Sequence, residues 1–221
     1  MRIGLIVPSS NTVMEPDFHR HLAPPAIVST TRIFLETVTR EAELRMLEED
    51  LPKAIQLIKT TAPDVVVFGC TSAGALLSDD HIAEMIHRAT NARSVTVLGS
   101  VLMNLQRIAP RRVAVFTPYI EDLTASIASS LAKAGYPPIK SAGMGIQSNL
   151  EIGQVPPSEI IRFVVSQLDG VAPDCLFLSC TNWRAIETID ALRKKFGIPV
   201  ITSNQSAIDA VRQAAAQHHA V

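Results

Sequence analysis

Short runs of apolar residues alternate with stretches of helical periodicity along the whole chain. The runs predict strands at 2–8, 27–35, 64–69, 94–99, 112–117, 139–145, 174–179 and 198–202. Between them, apolar positions recur every three to four residues. That spacing predicts helices near 14–22, 40–60, 79–90, 101–108, 121–135, 156–169, 183–196 and 205–217. The runs at 64–69 and 174–179 are apolar throughout, as central parallel strands covered on both faces must be. Strand and helix alternate with short connections. The expected class is therefore α/β, with two pseudo-symmetric doubly wound, flavodoxin-like parallel sheets. Right-handed crossovers put the strand carboxyl ends on one edge of each sheet, and ligands bind outside those ends.

The pattern also repeats. PDVVVFGCTS (63–72) matches PDCLFLSCTN (173–182), and RIGLIVPSS (2–10) matches RVAVFTPYI (112–120), both at an offset of 110 residues. A third pair, TVLGS (96–100) and VITSN (200–204), keeps step at 104. The expected units are an N-terminal domain, 1–108, and a C-terminal domain, 109–204. The last helix, 205–221, is expected to pack back on the first unit. Pro52 inside the 40–60 helix predicts a kink or a break there. Thr39 is placed to cap that helix, and its early acidic residues suit the helix dipole and a solvated face.

Each copy ends a buried strand with a cysteine, Cys70 in the first and Cys180 in the second. Two copies facing each other put two thiols on opposite sides of one cleft. A thiol between a strand and a helix meets the positive end of the helix dipole and free backbone N–H groups, which favour thiolate. Gly69 and Gly74 flank Cys70 and are expected to let a ligand approach the backbone. The other residues at the expected strand ends are Ser9, Ser10, Asn11, Thr71, Ser72, Thr117, Tyr119, Thr181, Asn182, Ser203 and Asn204. All are polar and uncharged, which suits a small ligand held by hydroxyls, amides and backbone groups. A cation would have to arrive from elsewhere, with Arg32 and Arg184 as the candidates. Cys175 has no matching partner and reads as core filler. His19, His21, His81, His87, His218 and His219 fall on predicted helices or the tail and read as surface residues. From the thiols alone, three readings stand open. They are addition to an alkene, proton exchange at one carbon, and a binding protein with inert thiols.

Composition narrows the partners. The net charge of −1 and the 5% aromatic content give no footing for nucleic acid. No apolar run is long enough for a transmembrane helix, and the start of the chain reads directly as a strand. Three cysteines without metal-type spacing imply reduced thiols and a cytoplasmic setting, and no metal site. No glycine-rich loop follows the first strand, so no nucleotide cofactor is expected.

VPSSNT (7–12), GCTS (69–72), TPY (117–119), SNLEIG (148–153) and SCTN (179–182) together resemble the maleate cis-trans isomerase family. That family lies within the cofactor-independent aspartate/glutamate racemase superfamily, and the resemblance covers essentially the whole chain. It implies an isomerase that needs no cofactor, acts on a small dicarboxylate, and associates as a homodimer or higher homo-oligomer. It implies Cys70 as nucleophile and Cys180 as its assistant. It further implies Asn11, Tyr119 and Asn149 as substrate-binding residues, and the strand-end placement adds Ser9, Ser10, Thr71, Ser72, Thr181 and Asn182 as candidates. GCTSAG (69–74) is more polar than the matching segment of the best-known maleate isomerases. Aspartate and glutamate racemases typically show a His two residues after the second Cys, where this chain has Asn182. Arylmalonate decarboxylases are similar overall but retain only the second Cys. The alternatives that stay open are a two-cysteine racemase or epimerase and a non-catalytic dicarboxylate-binding protein.

Overall fold

The computed structural model describes residues 1–218. His219 and the end of the expected 205–221 helix lie outside the described residues, and His218 is described in its backbone alone. Strands β1 (Arg2–Pro8), β2 (Ile27–Ile33), β3 (Val65–Phe68) and β4 (Arg93–Thr96) form one sheet in the order β2-β1-β3-β4. Strands β5 (Val113–Thr117), β6 (Lys140–Gly143), β7 (Cys175–Leu178) and β8 (Val200–Thr202) form a second sheet in the order β6-β5-β7-β8. All pairings within the two sheets are parallel. This is the expected α/β class, and the two orders are the same order written twice.

The repeat extends to register. Ile3 pairs with Val65, and Val113 pairs with Cys175, so the offset of 110 holds on both central strands. The third pair shifts. Phe68 pairs with Thr96 and Leu178 with Thr202, so Thr96 corresponds to Thr202 at an offset of 106, not 104. A slip of two residues keeps side chains on the same face, so the apolar pattern alone cannot detect it.

The helices follow the apolar stripes. They are α1 (Met14–His21), α2 (Arg40–Arg45), α3 (Leu51–Lys59), α4 (Thr71–Leu76), α5 (Asp79–Thr90), α6 (Val97–Ile108), α7 (Glu121–Lys133), α8 (Asn149–Gln154), α9 (Pro157–Gln167), α10 (Ile189–Phe196) and α11 (Ser203–His218). Thr39 caps α2 as expected, accepting from the Ala42 N–H at 3.3 Å. Pro52 does not break the helix. One π turn, Met46–Asp50, joins α2 to α3, with the Leu51 N–H reaching back to the Met46 carbonyl. The wider turn precedes the residue whose missing N–H and ring would otherwise disturb a regular turn. Two short helices, α4 and α8, fall outside the predicted ranges. Each has six residues, too few for a periodic signal.

One face of the first sheet, with Ile3, Leu5, Val7, Val65 and Val67, shares a core with Phe18 of α1 and Ala207, Ile208 and Val211 of α11. The final helix thus lies over the first sheet, and it also packs on α6. Residues of both halves contribute to the larger core, among them Phe68, Ile55 and Ile82 from the first and Phe116, Leu178 and Trp183 from the second. Backbone bonds stitch the halves where the segment after β2 meets the segment before α8. Val38 N–H donates to Gln147 O at 2.7 Å, and Asn149 N–H to Glu36 O at 3.0 Å.

Candidate active site

The carboxyl ends of the two central strands are built alike. Past β3, the Gly69 N–H donates to Ile6 O at 2.8 Å; past β7, the Ser179 N–H donates to Phe116 O, also at 2.8 Å. One residue further on stand Cys70 and Cys180, both buried and free of disulfide. A Cβ on Gly69 would lie 2.6 Å from Met14 Sδ, and one on Gly74 would lie 2.8 Å from an Asp79 carboxylate oxygen. The Cβ on Gly69 would also lie 2.9 Å from the Ile6 carbonyl, so packing within the protein leaves little room for a side chain there, and at Gly74 the neighbour is the end of the Asp79 side chain.

Backbone N–H groups point at both sulfurs. The N–H of Ala73 does so at Cys70, and those of Asn182, at 3.3 Å, and Trp183 do so at Cys180. These contacts favour thiolate, but burial outweighs them. It pushes the Cys70 thiol well above its ordinary range, with the nearby Glu43 carboxylate adding to the effect. Burial likewise pushes Cys180 up to about 12. The expectation of thiols made acidic by a helix dipole is thus corrected. The helix after Cys70 is only six residues long, and Cys180 is followed by a turn rather than a helix.

Tyr119, also buried, is hydrogen-bonded to the Cys180 thiol. Burial and the two thiols hold its phenol well above the usual range, so at neutral pH it is an O–H donor. Cys70 has a different neighbour. Its sulfur lies 3.7 Å from the Ser72 hydroxyl, and Ser72 donates a short hydrogen bond to Glu43 Oε1. Glu43 is fully buried, and Oε2 has no hydrogen-bond partner among the described residues. Burial, only partly offset by Ser72, raises its carboxyl to about 8. Sequence reading assigned the acidic residues of this helix to solvent and missed Glu43. The signal was present, because Glu43 precedes Met46, Leu47 and Leu51 at helical spacing and so lies on the apolar stripe.

The amides expected to meet a ligand are gathered here, but much of their hydrogen bonding is internal. Asn11 donates to Thr181 Oγ1 at 2.9 Å and accepts from the N–H groups of Val13 and Met14 at 3.0 Å. Asn182 accepts from the Thr12 N–H at 2.8 Å and donates to Asn149 O at 2.5 Å. Asn149 donates to Ser10 Oγ at 2.8 Å, and Ser10 donates to Leu35 O. Thr181 donates to Gly69 O at 2.9 Å, and Thr71 to Ser203 Oγ at 2.9 Å. Ser9 is exposed and pairs with the Leu35 backbone. Five of these bonds run between residues more than 100 positions apart in the chain, and they hold the strand-end loops of the two halves together.

The candidate cations are placed elsewhere. Arg32 binds the Ser9 and Asn11 carbonyls and pairs with Glu15 at 2.8 Å, while Arg184 pairs with Glu187 at 2.8 Å. Arg184 lines a cleft of about 340 Å³ together with Thr12, Asp17, Arg20, Gly153 and Glu187. Neither thiol lines it. Cys175 is core, as expected. His19, His81 and His87 are exposed and His21 is half-buried. Among the described residues no group of three or more His, Cys, Asp or Glu side chains is arranged to hold a metal ion, and no helix is long and apolar enough to cross a membrane.

Comparison with known proteins follows the same lines. A family model described as arylmalonate decarboxylase matches residues 3–221. A maleate isomerase of Nocardia farcinica (strain IFM 10152) is 26% identical over 217 residues, covering 91% of this chain and 85% of the relative. An arylmalonate decarboxylase of Bordetella bronchiseptica is 28% identical over 218 residues, covering 96% of this chain and 90% of the relative. Among solved structures, a cysteine-to-serine mutant of the Nocardia farcinica maleate cis-trans isomerase, carrying a covalently bound succinylcysteine intermediate, superposes with a TM-score of 0.89 at 22% identity. It covers 96% of this chain and 91% of that one.

Proposed function

The chain belongs to the arylmalonate decarboxylase family, and we propose that within it the protein is a cofactor-independent cis-trans isomerase converting maleate to fumarate through a covalent adduct on Cys70. The observation that carries this reading is the pair of buried strand-end thiols at matched positions of the two halves, with Tyr119 bonded to one of them. The maleate isomerase relative supports it, and so does the succinylcysteine intermediate in the Nocardia farcinica protein, which is an adduct of the kind the reaction requires. Decarboxylases of the family retain only the second thiol, so Cys70 argues for the isomerase. The relatives supply no support for a racemase or for a binding protein with inert thiols.

The chemistry follows from the alkene. A carbon–carbon double bond does not rotate, so it must become single for a moment. The Cys70 sulfur adds to C2 and the π pair moves toward the neighbouring carboxylate as an enediolate. Backbone N–H groups of residues 71–73, with Asn11 and Asn149, stabilise that charge. Losing one such donor typically costs about 3 kcal/mol of barrier. Rotation about the single bond and expulsion of sulfur give fumarate. Tyr119 holds the second carboxylate, and Cys180 supplies a proton or an S–H contact. Ser9, Ser10, Thr71, Ser72, Thr181 and Asn182 complete the proposed substrate shell. Electrons end where they began, so the reaction needs no redox partner.

The proposed division is an N-terminal unit, 1–108, closed by the last helix, and a C-terminal unit, 109–204. The thiols are nearly inaccessible at 5% and 4% exposure, so substrate entry requires the units to part. We place the protein in the cytoplasm, where its three free cysteines stay reduced, and as a homodimer or higher homo-oligomer. The test is maleate turnover by the purified, reduced protein without added cofactor. Fumarate formation that disappears in Cys70→Ala supports the reading. Turnover that survives that change overturns it.

A further inference from the structure

Adduct formation needs a thiolate, yet burial holds Cys70 as a thiol. Its proton must therefore have a destination inside the site. When Glu43 is ionised, the single hydroxyl proton of Ser72 is given to its Oε1. In the contact between Cys70 and Ser72 the thiol must then be the donor, at 3.7 Å. The three groups form one directed chain, S–H to O–H to carboxylate.

We propose that Glu43 is the proton acceptor of Cys70, acting through the Ser72 hydroxyl. The inference rests on the adduct chemistry proposed above. As the sulfur lone pair forms the C–S bond, the thiol proton passes to Ser72 Oγ, and Ser72 passes its own proton to Glu43 Oε1. When the rotated enediolate re-forms its double bond, the C–S electron pair returns to sulfur. The proton then runs back from Glu43 through Ser72. No proton leaves the site and nothing is oxidised or reduced.

Burial makes Glu43 a stronger base than a solvated carboxylate. A solvated carboxylate is too weak a base to take a proton from a thiol. Glu43 is fully buried, with one of its oxygens unpartnered, and its carboxyl is raised to about 8; burial raises the Cys70 thiol as well, so the proton passes to Glu43 only as the C–S bond forms. The transfer moves one negative charge between two buried atoms, so neither arrangement takes a new charge out of water. The titratable groups that feel Glu43 come from three elements. They are Cys70 at the head of α4, Tyr119 after β5 and Cys180 after β7. Glu43 touches neither the reacting sulfur nor the proposed substrate shell except through Ser72, so it is a positioning residue.

The test reads Cys70 directly. The reduced full-length protein is alkylated with iodoacetamide over a range of pH, and the peptides bearing Cys70 and Cys180 are quantified by mass spectrometry. In the wild-type protein Cys70 is expected to label faster than Cys180 and to level off as Glu43 ionises. In Glu43→Gln and in Ser72→Ala, Cys70 labelling near neutral pH is expected to fall about tenfold or more, with Cys180 changing less than about twofold. Glu43→Asp should restore part of the rate. If Glu43 is merely a negative charge that opposes thiolate, Glu43→Gln will label Cys70 as fast as wild type or faster, and the proposal fails. Where burial keeps Cys70 unlabelled in the wild-type protein, maleate turnover decides, and Ser72→Ala turning over as fast as wild type overturns the proposal. Gln matches the shape of Glu, and Ser72→Ala reports on the same chain without touching the carboxyl. Maleate turnover is measured alongside. A wild-type protein that leaves maleate unchanged sinks the functional reading while the labelling still decides the role of Glu43. Equal turnover by wild type and Glu43→Gln sinks this inference alone.

Discussion

The loop that carries Cys70 and the loop that carries Cys180 start alike and end differently. Both leave a central parallel strand through the same backbone bond, at 2.8 Å in each case, and both place a thiol one residue later. Beyond the thiols they diverge. The first enters α4 and, through Ser72, faces a buried carboxyl. The second enters a turn, faces the Tyr119 phenol and sends Asn182 across to Thr12 and Asn149. Repetition thus fixes where the sulfurs stand, while the residues that follow decide what each can do. A thiol next to a proton acceptor is equipped to become a nucleophile. A thiol next to a phenolic donor is equipped to keep its own proton or to give it away.

Exchanging the roles of the two loops is the strongest challenge to this contrast. Cys70→Ala should lower maleate turnover by about 10⁴-fold or more, because the nucleophile has no substitute. Cys180→Ser should cost less, on the order of 10²-fold to 10³-fold. It should also allow a covalent substrate adduct on Cys70 to accumulate, visible in the intact protein mass. An adduct found on Cys180 in the Cys70→Ala protein would reverse the assignment. Tyr119→Phe removes one donor and should lower turnover by about 10²-fold, with the melting temperature little changed.

The smallest expected effect lies in stability rather than rate. The Glu43 carboxyl in the folded protein is raised to about 8 from an ordinary 4.5, so the native state holds its proton more tightly than the unfolded chain. The stabilisation of the neutral acid is complete below the ordinary value and is lost as pH rises through about 8. Thermal melts of the wild-type protein should therefore fall across this window, and Glu43→Gln should flatten that fall. Parallel profiles for the two proteins would show that the Glu43 carboxyl is not raised in the native state, and the contrast between the loops would lose the basicity it rests on.

Much of this arrangement is written in the chain. Apolar runs and the 110-residue offset give both sheets, their parallel order and the thiol pair, because buried parallel strands demand continuous apolar sequence. What escaped depends on tertiary context. Glu43 looked solvated because acidic residues open a helix there, and only its place on the apolar stripe betrayed that it turns inward. Asn11 and Asn182 read as ligand contacts, whereas their amides also close the gap between two distant loops, a use no local spacing reveals. Thiol acidity was misjudged for the same reason. A strand-end position suggests helix N–H groups, but it does not show how completely water is excluded.

The most direct test of the central claim is proton NMR of the reduced protein with maleate in D2O, run beside the Cys70→Ala variant and beside aspartate and glutamate. The account predicts that the fumarate signal grows with the wild-type protein alone, with no cofactor added and the amino acids unchanged. Maleate left intact while an amino acid loses its α-proton signal would contradict the account and make the two thiols an acid–base pair at one carbon.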